Sequence, residues 1–137
     1  MKTTMQNHEN PSNLKVLLVD DDSDILDLLA EIISERGFHA IKANNGKAGL
    51  DLLMKEKPCL VLTDIQMPKM DGVTLAKAVK SMNKNTPVIL ISGQYPNLMA
   101  DKMSHKFECD HILYKPFSKS DVIESIHLFL PDQIRRS

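Results

Sequence analysis

An open α/β fold, one parallel sheet covered by helices on both faces, is what this 137-residue chain predicts. Three observations carry that expectation. Short apolar runs of strand length alternate with segments about a dozen residues long that have helical periodicity. Connections of that length fit right-handed crossovers between parallel strands, which stack into a three-layer α/β/α sandwich. Four of the runs end in a residue that can handle phosphate or a metal ion, and the carboxyl ends of parallel strands are where such sheets bind ligands.

Residues 1–13 are polar and aperiodic and are expected to form a disordered tail, with one domain over 14–131 and a short C-terminal tail over 132–137. Leu17-Leu18-Val19 predicts a strand over 15–19 that runs into Asp20-Asp21. A helix over 23–36 follows from Ile25, Leu28, Leu29 and Ile32, spaced i, i+3, i+4, i+7 as one buried face. Gly37 stands after it, where a left-handed C′ residue is wanted. A strand over 39–43 and a helix over 46–56 continue the alternation, and Leu60-Val61-Leu62-Thr63 predicts a strand over 60–63 that delivers Asp64. Asp71, ahead of Gly72, can accept the orphan N–H groups of a helix over 72–83. Val88-Ile89-Leu90-Ile91 places a strand over 87–91 that reaches Ser92, and a helix over 97–106 follows. Ile112-Leu113-Tyr114 marks a strand over 110–114 that presents Lys115-Pro116. Ser118 and Asp121 have the spacing of a capping box, opening a helix over 119–130 with Val122, Ile126 and Phe129 on its core side.

Bulk properties narrow the function. A hydrophobic content of 42% with 26% charged residues suits one soluble globular domain. The formal net charge of -1 gives no electrostatic footprint for nucleic acid or for an anionic membrane. The N-terminal segment lacks the apolar core of a signal peptide, and no apolar stretch has the length of a membrane span. Cys59 and Cys109 make no disulfide framework and are expected as buried, reduced thiols, in keeping with a cytoplasmic location.

The four strand ends would gather three carboxylates, a hydroxyl and an ammonium in one crevice, a set that suits Mg²⁺ and a phosphoryl group. Val19-Asp20-Asp21, the stretch from Asp64 through Met67-Pro68 and Met70 to Asp71-Gly72, Ile91-Ser92-Gly93 and Tyr114-Lys115-Pro116-Phe117 together resemble the receiver domain of two-component response regulators. The resemblance runs from about Leu14 to Leu130 and is of the stand-alone, single-domain kind. It implies a flavodoxin-like fold with a five-stranded sheet of order 2-1-3-4-5.

It also implies roles. Asp64 would be the phosphoacceptor, its carboxylate attacking a phosphoryl group in line. Mg²⁺, with Mn²⁺ as a substitute, would be held by Asp21 and Asp64 directly, by Asp20 through water and by the Gln66 backbone carbonyl. Lys115 would place a point charge on the phosphoryl oxygens, aimed by a cis peptide before Pro116. Ser92 would donate its hydroxyl, with Gly93 leaving room for close backbone approach. Without metal, the crowded carboxylates would raise one another's proton affinity. The implied partners are a histidine kinase or a histidine phosphotransfer protein, docking near Ile25, Leu28 and Leu29, and a downstream protein target; nucleic acid and membrane are not expected. Gln66 and Gln94 occupy positions that tune dephosphorylation in the family.

One position departs from the family pattern. Ile112 stands three residues before Lys115, where many relatives carry an aromatic switch, and Tyr114 shares its strand face but is displaced along it. Pro96 would stiffen the start of the next helix. Output through the 92–114 face is expected all the same.

Rival readings are weaker. Asp20, Asp22, Asp24 and Glu31 have EF-hand spacing, but Ile25 occupies the position that needs glycine. Asp20-Asp21-Asp22-Ser23 imitates the opening motif of a haloacid-dehalogenase-like phosphohydrolase, without its late paired acids or cap insertion. His105, Cys109 and His111 read as helix-end and strand-start residues rather than a transition-metal cluster. Met67, Met70, Met82, Met99 and Met103 read as gap fillers. Within the family, the alternative is a phosphorylation-independent interaction module, and the intact set of acids, hydroxyl and lysine argues for a working phosphoacceptor.

Overall fold

Strands form in this chain where an apolar run can be buried on both faces at once. The computed structural model describes residues 14–93 and 108–130. The helix expected over 97–106 and the two tails, with Gln94, Pro96, Met99, Met103 and His105, lie outside the described residues. In chain order the elements are β1 (Lys15–Val19), α1 (Ser23–Glu35), β2 (His39–Ala43), α2 (Gly46–Glu56), β3 (Leu60–Asp64), α3 (Gly72–Met82), β4 (Val88–Ser92), β5 (His111–Tyr114) and α4 (Lys119–His127). The strands make one sheet of order β2-β1-β3-β4-β5, with every neighbouring pair parallel. This is the expected flavodoxin-like receiver architecture.

The side-chain period of two splits each strand between two cores. Val16, Leu18, Leu60, Leu62, Ile89, Ile91 and Leu113 face α1 and α4, packing on Leu29, Ile33, Val122 and Ile126. Leu17, Val19, Val61, Val88, Leu90 and Ile112 face α2 and α3, packing on Leu53, Leu75 and Val79. Each such fully buried aliphatic contributes about 1.5–3 kcal/mol by leaving water. The two cores clamp the sheet from both sides and hold its carboxyl edge in place.

Several expectations are corrected in detail. The buried stripe of α1 is Leu26, Leu29, Ile32 and Ile33; Ile25 is half-buried and Leu28 is 43% exposed. The segment is apolar at six positions, so it offers two overlapping stripes, and packing against the sheet and α4 selects one. β3 and β4 each run one residue further than expected, so Asp64 and Ser92 close their strands rather than follow them. The ladder continues past both: the Ile65 N–H donates to the Ile91 carbonyl at 3.1 Å and the Lys115 N–H to the Ser92 carbonyl at 2.8 Å. α4 stops at His127, because the Leu128 and Phe129 N–H groups turn back to Ser125 and Ile126 in a tighter i−3 pattern.

The caps match expectation. Gly37 has φ 92°, and the bonds from its N–H to Ser34 and from the Phe38 N–H to Ile33 close a Schellman motif on α1. Ser118 and Asp121 exchange both capping-box bonds, and the Asp71 carboxylate accepts the Thr74 N–H at 2.8 Å. Cys59 and Cys109 are not joined by a disulfide and are only half-buried, and burial pushes the Cys59 thiol up. Met67 and Met70 pack beneath the second core, whereas Met82 is 49% exposed. Among the described residues, no helix is long and apolar enough to cross a membrane.

Candidate functional site

The carboxyl edge of the sheet gathers chemistry because four strands end there together. β1 delivers Asp20 as a fully buried residue, its N–H donating to the Ala43 carbonyl at 3.2 Å. Asp21, next along, is exposed. Asp22 turns the chain into α1: its carboxylate caps the helix by accepting the Asp24 N–H at 2.9 Å and the Ile25 N–H at 3.4 Å. That cap explains the third acid of the run, which sequence reasoning had left without a role, and it removes the EF-hand geometry.

Asp64 closes β3 and is 8% exposed. Its own carbonyl is held by the buried Thr63 hydroxyl, which donates at 3.0 Å. Gly72, opening α3, lies so close beneath that carbonyl that a Cβ there would sit 2.1 Å from the oxygen. Glycine at this position is a steric requirement, and it sets the end of β3 directly against the start of α3. Gln66 is exposed on the loop that joins them. Ser92, buried at 5% exposure, lies one residue beyond Ile91, the register partner of Asp64. Lys115 follows β5 through a cis peptide to Pro116, as expected. A methyl on Gly93 would meet only the Lys115 stem, at 3.8 Å, so crowding among the described residues does not demand glycine there.

One carboxylate oxygen from each of Asp20, Asp21 and Asp64 lies within 4.8 Å of the others. The Lys115 ammonium stands 3.4 Å from Asp20 Oδ2 and 3.7 Å from Asp64 Oδ2. Asp20 Oδ1 accepts the Asp22 N–H at 2.9 Å, while its buried Oδ2 lacks a hydrogen-bond partner. A buried carboxylate oxygen left with only a neighbouring ammonium costs free energy. A hard cation with oxygen ligands would complete it, and the all-carboxylate donor set fits Mg²⁺ better than a softer metal.

The electrostatics follow from that crowding. Burial pushes the Asp64 carboxyl up to about 6, with the Asp20 charge adding to it and Lys115 opposing. Asp20 is likewise raised, chiefly by burial, against the pull of the Asp22 N–H and Lys115. The neighbouring carboxylates raise Asp64 as charge crowding predicts, and desolvation, which only the fold reveals, is the larger cause.

The site therefore unites Asp20, Asp21, Asp64 and Lys115, with Ser92 at the adjoining strand end. His111 and Cys109 are half-buried at the opposite edge and form no metal cluster among the described residues. Ile112 is buried in the second core beside its register partner Leu90, and Tyr114, half-buried on the same face, is the register partner of Ser92.

Comparison with known proteins agrees with this geometry. Residues 16–127 match the family described as the response regulator receiver domain. The chain is 34% identical over 119 residues to sporulation initiation phosphotransferase F of Bacillus subtilis (strain 168), covering 87% of this chain and 95% of that protein. It is 35% identical over 117 residues to the transcriptional regulatory protein CpxR of Escherichia coli (strain K12), covering 85% of this chain but only 49% of that protein. A crystal structure of a CheY-like response regulator receiver domain protein from Methanospirillum hungatei JF-1 superposes with a TM-score of 0.78 at 28% identity, covering 90% of this chain and 98% of that one.

Proposed function

The chain belongs to the response regulator receiver family, and on that premise we propose that Asp64 accepts a phosphoryl group in a Mg²⁺-dependent reaction. The observation that carries this reading is the buried Asp20 oxygen, which has an ion pair to Lys115 but no hydrogen bond, beside two further carboxylates. A receiver is a signalling protein whose catalysis is confined to its own phosphorylation and dephosphorylation, so its product is a changed surface.

The Asp64 oxygen forms the new bond to phosphorus as the bond to the donor's leaving atom breaks, and the leaving group takes the electron pair. Without metal, burial holds the Asp64 carboxyl up at about 6, and attack requires its ionised form. Asp20, Asp21, Asp64 and the Gln66 carbonyl would hold the ion, with Mn²⁺ as a substitute. When bound, Mg²⁺ neutralises the repulsion between carboxylate and phosphoryl group. Lys115 is already close enough to both buried acids to transfer its charge to an incoming phosphoryl oxygen. The Ser92 hydroxyl, at the neighbouring strand end, donates to another.

A receiver requires a phosphoryl donor, so a histidine kinase or histidine phosphotransfer protein is the proposed partner. The half-buried Ile25 and exposed Leu28 of α1 support docking there. Output runs through the face between Ser92 and Tyr114 to a protein target. Two cysteines without a disulfide between them are in keeping with a reducing cytoplasm.

Incubation with Mg²⁺ and acetyl phosphate or phosphoramidate tests the reading. Intact-mass measurement is expected to find a base-labile adduct of about 80 Da, one phosphoryl group on a carboxylate. Loss of the adduct in Asp64→Ala supports the assignment; an unlabelled wild type, or label that survives in Asp64→Ala, overturns it.

A further inference from the structure

Gly46 opens α2 after the Asn45 cap, 18 residues before Asp64 in sequence and outside every motif that marks the site. Its φ is not in the left-handed region, so backbone freedom does not account for glycine here. Crowding does. A Cβ on Gly46 would lie 2.0 Å from the Met70 carbonyl oxygen and 2.7 Å from both the Met70 carbonyl carbon and Cβ. These are backbone and near-backbone atoms with no torsion that could swing them aside.

Met70 belongs to the loop over 65–71, which joins Asp64 to α3 and carries Gln66. The Gly72 N–H donates to the Ile65 carbonyl at 2.9 Å and ties the loop's two ends together. At its far side the Met70 N–H turns back to the Pro68 carbonyl at 2.9 Å, with Lys69 between them at φ 74°. Positive φ is sparsely populated for a long side chain, and such a turn persists only when its surroundings hold it. The first turn of α2 supplies one wall of that hold, and the second core, on which the Met70 side chain packs, supplies the other.

We propose that Gly46 is a positioning residue for the metal-binding loop: by letting α2 close against the Met70 backbone, it fixes where the loop presents the Gln66 carbonyl. The proposal rests on the metal reading above. A side chain at position 46 would force the Met70 backbone and the start of α2 apart by on the order of 1 Å, a shift that the loop can pass on to Gln66. Supports behind a metal ligand commonly weaken binding by about tenfold or more when lost.

Gly49, one turn further along α2, provides a matched control. Its added Cβ would meet only side-chain methyls, Val19 Cγ2 at 3.0 Å and Leu75 Cδ2 at 3.3 Å, and would leave the loop untouched. Mg²⁺ titrations followed by calorimetry and by amide NMR shifts, with far-UV circular dichroism to confirm folding, compare wild type, Gly46→Ala and Gly49→Ala. Gly46→Ala is expected to weaken Mg²⁺ binding about tenfold and to move the 65–71 amides, while Gly49→Ala lowers Tm without changing Mg²⁺ affinity. Met70→Ala, which keeps Gly46 but removes the anchor on the core side, is expected to weaken binding in the same direction and keeps the test open if Gly46→Ala does not fold. Unchanged affinity in a folded Gly46→Ala, or equal losses in both glycine variants, overturns the positioning role. A wild type that binds no Mg²⁺ overturns the metal reading itself, and this proposal with it.

Discussion

The two ends of the sheet treat charge in opposite ways. At the amino ends two ion pairs brace the strands. Lys80 meets Asp110 at 2.7 Å and also donates to the Thr86 carbonyl at 2.8 Å, and the same Asp110 oxygen accepts the Val88 N–H at 2.8 Å. Lys15 meets Glu56 at 3.0 Å beside the start of β1. At the carboxyl ends three acids crowd together beside one ammonium, which pairs with Asp20 and Asp64, and a buried oxygen of Asp20 has no hydrogen bond. One end uses charge to hold strands in register. The other leaves a buried carboxylate oxygen that a bound cation, as proposed above, would complete.

The sharpest way to break that comparison is to remove a charge from each end. Asp64→Asn is expected to abolish the base-labile phosphoryl adduct completely while raising metal-free stability at pH 7 by about 1 kcal/mol or more, since a buried, repelled charge disappears. Urea denaturation and intact mass read the two effects; a variant less stable than wild type would show that the site is not electrostatically frustrated.

The next effect is the pH dependence. The folded Asp64 carboxyl lies at about 6 against 3.8 in the unfolded chain, so the native state binds the extra proton between those values. Its contribution is present in full below about pH 4 and is lost as pH rises through 6, on the order of 3 kcal/mol. Metal-free stability, taken as the difference from Asp64→Asn, is expected to fall across that window. Saturating Mg²⁺ is expected to cancel the fall, because it binds the deprotonated form. A flat difference without metal would break the argument.

At the amino ends, Asp110→Ala leaves Lys80 and the Val88 N–H without their carboxylate and is expected to cost about 2 kcal/mol, with labelling by acetyl phosphate unaltered. Asp22→Ala is the smallest and most discriminating change. Asp22 stands among the site's acids yet spends its carboxylate on the α1 cap, so about 1 kcal/mol of stability is expected to go while Mg²⁺ affinity stays. Lost affinity would make Asp22 part of the site rather than part of the scaffold.

Much of this was legible beforehand because it depends on near neighbours in sequence. Apolar runs, caps and turn residues act over a few positions, and the cap residues Asp71 and Ser118, the C′ residue Gly37 and all five strands are found where local pattern put them. α1 shows the limit. Its run from Ile25 to Ile33 supports more than one buried stripe, and only contact with the sheet and α4 turns Leu28 outward and Leu26 in. The strand ends show it again, for Asp64 and Ser92 belong to their strands through bonds that cross to the neighbouring strand just past them.

The roster of the site, Asp20, Asp21, Asp64, Ser92 and Lys115, was set by the sequence alone, since residue type and order carry the chemistry and the crossover rules bring the strand ends together. Tertiary structure decided what each member experiences. Asp20 is sealed and Asp21 open although they are adjacent; burial outweighs repulsion at Asp64; and Gly46 closes on Met70, 24 residues away. Desolvation and steric contact depend on what lies across space, and that is settled only when the two cores fix the distance between elements.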